Sequence, residues 1–86
     1  MPLKYLTADQ SRAARGLLNW SRVRLAARSN LGEATISDFE NGHRIPSPRK
    51  LAAMRQAFER AGVVFTAGGP TLSNRSAGEG GVIGTQ

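Results

Sequence analysis

Apolar residues recur at steps of three and four from about residue 7 to residue 61, which is the spacing of helices with one buried face. A first helix is predicted to begin at Thr7. Thr7-Ala8-Asp9-Gln10 fits a capping box, in which the hydroxyl and the amide each satisfy a free backbone donor. Ala13, Ala14, Leu17 and Leu18 give it an apolar stripe, with Arg12 and Arg15 towards the other side. Ser21 caps a second helix reaching about Ser29, with Leu25 and Ala26 inward and Arg22, Arg24 and Arg28 on the polar face. Asn30 accepts a left-handed backbone and permits a sharp turn. A third helix reads from Glu33 to Asn41 with Ile36 and Phe39 inward, and Gly42 is placed to end it. Ser47-Pro48 then joins a capping hydroxyl to a proline at the first helical position, and a fourth helix follows as far as Ala61. Its buried stripe is Leu51, Met54, Phe58 and Ala61.

The pattern breaks at Gly62. Val63-Val64-Phe65 is short, branched and aromatic and predicts a strand, and Val82-Ile83 is a weaker second candidate. The glycine-rich chain between them, including Gly68-Gly69-Pro70, reads as loop. Two arrangements stay open: a strand that pairs across a dimer, or a flexible tail after Thr66. The chain thus divides into a helical domain, residues 1–62, and a segment, residues 63–86, of one short strand and a Gly/Ser-rich tail that is a candidate dimerisation element. Three short helices, a loop and a longer helix make an all-α frame of the helix-turn-helix kind.

Charge sharpens this picture. The formal charge is +6, and residues 1–62 carry every basic side chain except Arg75 and every acidic one except Glu79. The whole positive excess therefore lies on the helical domain, where counterion release from phosphates favours nucleic acid. Cysteine is absent, which points to a reducing cytosol and removes cysteine zinc sites, and His43 is the single histidine. Met1-Pro2-Leu3-Lys4 lacks a signal-peptide apolar stretch, and no run approaches the roughly 20 residues a bilayer requires. A cytoplasmic protein is expected. No enzyme and no cofactor are expected either. The chain offers no cysteine nucleophile, no phosphate-cradling glycine motif before a helix, and no carboxylate pair set for a deep pocket.

The stretch from Trp20 to Pro46, WSRVRLAARSNLGEATISDFENGHRIP, resembles the Cro and phage-repressor helix-turn-helix family, also called the xenobiotic-response-element family of bacterial regulators. The resemblance rests on Leu25-Ala26, Ile36, Phe39-Glu40-Asn41-Gly42, Pro46 and Leu51, and covers roughly residues 10–65. It implies a four- to five-helix, lambda-repressor-like domain with a short carboxy-terminal β element or flexible tail. Trp20, Leu25, Ala26, Ile36, Phe39, Leu51 and Phe58 would form its core. Two positions depart from the family. Asn30 stands where glycine is usual, and Arg22, a stronger phosphate ligand, stands where glutamine is usual.

The resemblance further implies that the third helix enters the major groove of double-stranded DNA. Its base-reading positions would be Gly32, Glu33, Ala34, Ser37 and Asp38. Glu33 and Asp38 suit cytosine amino groups, Ser37 bonds in either sense, and Ala34 suits a thymine methyl. Phosphates would be met by Arg22, Thr35, Asn41, His43, Arg44, Ser47, Arg49 and Lys50, with Arg12 and Arg15 reaching the flanking backbone. Arg55 and Arg60 read as a solvated face. The expected protein is a homodimeric regulator, a repressor or autoregulator, on a palindromic operator. The competing expectation is an antitoxin or anti-activator that holds a protein partner through the same fold and its carboxy-terminal segment.

Overall fold

The computed structural model describes residues 5–73, so the Val82-Ile83 strand candidate lies outside the described residues. The element order is α1 (Ala8–Leu18), α2 (Arg22–Ser29), α3 (Glu33–Glu40), α4 (Pro48–Arg60), β1 (Val63–Thr66) and β2 (Gly69–Leu72). Three of the four predicted starts, those of α1, α2 and α4, are made by their predicted caps. Thr7 Oγ1 accepts from Gln10 N at 3.1 Å while Gln10 Oε1 accepts from Thr7 N at 2.9 Å, closing the box. Ser21 Oγ accepts from Arg24 N at 3.0 Å, and Ser47 Oγ from Lys50 N at 3.4 Å, just ahead of Pro48. Asn30 is left-handed at φ 60°, and the next amide, Leu31 N, returns to Ala26 O at 2.9 Å. Asn19 ends α1 by the same device at φ 58°, with Trp20 N returning to Arg15 O at 2.9 Å. Gly42 (φ +81°) and Gly62 (φ +101°) close α3 and α4 at the two positions where the sequence placed stops.

The helices bury Leu6, Ala14, Leu25, Ala26, Ile36, Phe39, Leu51, Met54, Ala57, Phe58 and Val63. Phe58 is the centre of this core. It stacks on Trp20 at 5.8 Å and meets Phe65 edge-on at 6.1 Å. Trp20 is half-buried, with Arg28 over its ring at 5.7 Å, so it packs as a core-edge residue.

Two expectations are corrected. In α1 the buried face is Ser11, Ala14 and Leu18, while Ala13 and Leu17 are exposed. The helix is rotated away from its apolar stripe because a buried carboxylate on α3 draws Ser11 inward. Gly69–Leu72, expected as part of a loop, is instead a strand. Gly69–Leu72 pairs antiparallel with β1 through Val63↔Leu72, Val64↔Thr71 and Phe65↔Pro70. The hairpin is closed by Ser73 N donating to Gly62 O at 2.7 Å and Thr66 Oγ1 donating to Gly69 O at 2.7 Å. Gly69 takes φ +118°, which its lack of a Cβ allows. An isolated hairpin is marginal in water. This one persists because β1 anchors Val63 and Phe65 in the helical core and β2 lies along α1.

Candidate nucleic-acid interface

α2 and α3 are joined by the Asn30 turn and locked by Leu25, Ala26, Ile36 and Phe39, all buried between the helices and α4. Fixing these apolar residues inward leaves the opposite side of α3 outward. Gly32, Glu33 and Ala34 are exposed, and Thr35, Ser37 and Asp38 are half-exposed. The first turn of α3 has no side-chain cap, and Gly32 has open space where a Cβ would stand. Its starting amides therefore face outward beside Glu33. Among the described residues neither Glu33 nor Asp38 forms an ion pair. The Asp38 backbone carbonyl has a separate task, accepting from His43 N at 2.8 Å and Arg44 N at 3.2 Å. That contact folds the following loop back against the end of α3.

The loop and the first turn of α4 carry six of the candidate phosphate ligands. Asn41, His43, Arg44, Ser47, Arg49 and Lys50 are all exposed. Ser47 spends its hydroxyl on the helix cap, so its remaining offer to an anion is the turn it organises. Pro46 is buried and pins the loop, while Ile45 beside it is 84% exposed.

The remaining basic residues near α3 behave differently, for a reason the apolar pattern does not carry. Glu40 is only 2% exposed. Its Oε2 accepts from Ser11 Oγ at 2.6 Å and Arg15 Nε at 2.9 Å, and its Oε1 from Arg15 Nη2 at 2.7 Å and Arg22 Nε at 3.3 Å. Arg22 Nη2 also donates to Asn41 Oδ1 at 3.1 Å. Burial by itself pushes the Glu40 carboxyl up, but the bonds from Arg15 and Ser11, the charge of Arg15 and the bond from Arg22 together hold it below the ordinary range. The bond to Glu40 raises Arg15 in turn.

Arg15 and Arg12, expected to reach the flanking backbone, are both bonded within the protein. Arg15 also donates to Trp20 O at 3.1 Å, and Arg12 bonds Asp9 and the Glu40 carbonyl. An unneutralised buried carboxylate is too costly to leave, and the nearest guanidiniums are drawn to it. Arg55, expected on a solvated face, pairs with Glu59 at 3.0 Å and lies 5.2 Å over Phe65. In the sequence Glu40 stands out only as a member of the Phe39-Glu40-Asn41-Gly42 motif. The signal was its position four residues after Ile36 and directly after Phe39, on the inward stripe of a chain rich in arginine.

No described helix is long and apolar enough to cross a membrane. The described residues hold no group of three or more His, Asp or Glu suited to a metal ion. Among known proteins, a helix-turn-helix family model matches residues 12–62, more than half of the 86-residue chain. No curated protein sequence matches it. The matched span runs from α1 to the end of α4, the same frame that locks α2 against α3 and exposes the outer face of α3. The chain belongs to the Cro/C1-type, xenobiotic-response-element-like helix-turn-helix family of sequence-specific DNA-binding transcription regulators.

Proposed function

We propose that the chain represses transcription, its own gene included, by binding a palindromic operator as a homodimer with α3 in the major groove. The observation that carries this reading is the outer face of α3, where Glu33, Ala34, Ser37 and Asp38 stand clear of ion pairs, among the described residues, beside the exposed His43, Arg44, Arg49 and Lys50. Acidic side chains facing a polyanion are unfavourable unless they accept hydrogen bonds there. Glu33 and Asp38 accept from cytosine amino groups, Ala34 packs on a thymine methyl, and Ser37 bonds a base edge. Gly32 lets the start of α3 approach the groove closely. Attraction comes from phosphate contacts at Arg22, Thr35, Asn41, His43, Arg44, Ser47, Arg49 and Lys50, which set register on the duplex.

The hairpin supports the dimer. Val64 and Leu72 are 46% and 43% exposed, and within the described residues the two-stranded sheet has no further partner on either edge. Such an edge is a template for pairing with a second copy.

The test is a salt titration of binding to genomic fragments, including the region upstream of the protein's own gene, against random competitor. The expected result is one tightly bound fragment with a two-fold footprint. Salt-sensitive but unselective binding would remove the operator reader. Absence of binding would turn the case towards a protein partner held by the hairpin.

A further inference from the structure

The cluster around Glu40 holds one more guanidinium than its burial explains. Arg15 and Ser11 already supply close donors to both carboxylate oxygens, at 2.6, 2.7 and 2.9 Å. Arg15 is also the more enclosed of the two arginines, its side chain 18% exposed against 34% for Arg22. That pair supplies the closest donors to the buried charge. Arg22 adds a longer bond of 3.3 Å from Nε and sends Nη2 to Asn41 at the end of α3. The rest of its fork has no partner among the described residues. Asn41 turns its oxygen towards Arg22, which leaves the two N–H donors of its exposed amide to point elsewhere. Two guanidiniums against one carboxylate leave a net positive charge where the start of α2 meets the end of α3.

We propose that Glu40 is a positioning residue for DNA: it fixes the Arg22 guanidinium, and through it the Asn41 amide, in one arrangement whose remaining N–H groups meet a backbone phosphate. The inference rests on the DNA-binding reading above and adds the device that orients one of its contacts. A free arginine on the surface loses rotamer freedom when it binds a phosphate. One already tethered at Nε and Nη2 has lost much of it before DNA arrives. The tether spans α2 and α3, so the phosphate seat and the base-reading helix keep a constant offset.

Charge and position predict opposite signs for one variant. Glu40→Gln removes a negative charge beside the proposed phosphate, so charge alone would tighten DNA binding. Loss of positioning would weaken it. Because Glu40→Gln also touches the core, Arg22→Lys serves as the second variant. It keeps the charge and the Arg15–Glu40 pair but has one nitrogen in place of the planar Nε and Nη2 fork that holds Glu40 and Asn41 in fixed geometry. Affinity for the selected operator and the slope of log affinity against log salt would be measured for both, and for Arg22→Gln, on protein shown to be folded by its melting curve.

The expected results are weaker binding by Glu40→Gln, and binding by Arg22→Lys weakened about fivefold to tenfold with the slope retained, as for one misoriented charged bond. Arg22→Gln should make the slope shallower by about 0.9, one phosphate contact. Parental affinity in Arg22→Lys, tighter binding in Glu40→Gln, or an unchanged slope in Arg22→Gln overturns the positioning role while the wild type still binds DNA. A wild type that binds no duplex DNA overturns the underlying reading and this inference together.

Discussion

Glu40 shows how one side chain can set the behaviour of its neighbours. Its folded-state carboxyl lies below the ordinary range, so its contribution to stability is complete above about pH 4.3, the usual glutamate value, and is lost as pH falls through the lowered one. Glu40→Gln should cost about 3–5 kcal/mol at neutral pH, because Arg15 is left without its anion. Its melting temperature should converge with that of the wild type as the solution is acidified below about pH 4. Parallel curves across that range would mean that the carboxylate is not the titrating support. On the outer face of α3 a single residue carries a different consequence. Glu33 is exposed, so Glu33→Ala should leave melting nearly unchanged and alter which base is preferred at one operator position. Each wrong base pair there should shift by about 1–3 kcal/mol, read by competition among single-substituted operators.

At the scale of elements, the four helices follow their local chemistry closely, and the α2–α3 turn shows why. Asn30 at φ 60° sits where most side chains are strained by about 1–2 kcal/mol. Asn30→Gly should be tolerated or slightly stabilising, whereas Asn30→Val should lose at least that strain energy in chemical denaturation. A loss of the same size in both would place the effect in the asparagine side chain instead of the backbone. The caps at Thr7, Ser21 and Ser47 and the stop at Gly42 are equally local, since each joins atoms within a turn. The hairpin follows a different logic. Gly69 and Pro70 are poor strand residues, and β2 exists because β1 is already held by Phe58 and Val63 and because α1 offers a surface. No local signal announces such a strand.

Across the whole molecule, charge and assembly decide how tightly DNA is held. The excess of +6 sits on the helical domain, and the proposed phosphate ligands make affinity fall steeply with salt. Arg44→Ala should weaken binding to all sequences alike and flatten that dependence, since a phosphate contact carries no base information. A homodimer on a palindrome places its two α3 helices one turn of DNA apart, about 34–36 Å. If the hairpin edge joins the copies, the melting temperature should rise with protein concentration, and Val64→Lys should abolish that rise. A concentration-independent melt in the wild type would mean that the copies join only on DNA, and a rise that survives Val64→Lys would place the dimer on another surface.

The order of the helices, their caps and the outward face of α3 were determined by the sequence, because each depends on residues within a few positions of one another. Val63–Phe65 was legible as a strand for the same reason, being a compact branched and aromatic run. What tertiary structure decided depends on partners far along the chain. Ser11, Arg15 and Arg22 meet Glu40 across 29, 25 and 18 positions, and only that meeting turns three polar residues of α1 and α2 inward. It rotated α1 from its apolar stripe, bonded Arg15 to Glu40 and tied Arg22 to Asn41. Tertiary packing likewise made Gly69–Leu72 a strand by giving it β1 and α1 to lie against. Periodicity reports which residues prefer burial, whereas a buried charge recruits its partners only after the helices are packed.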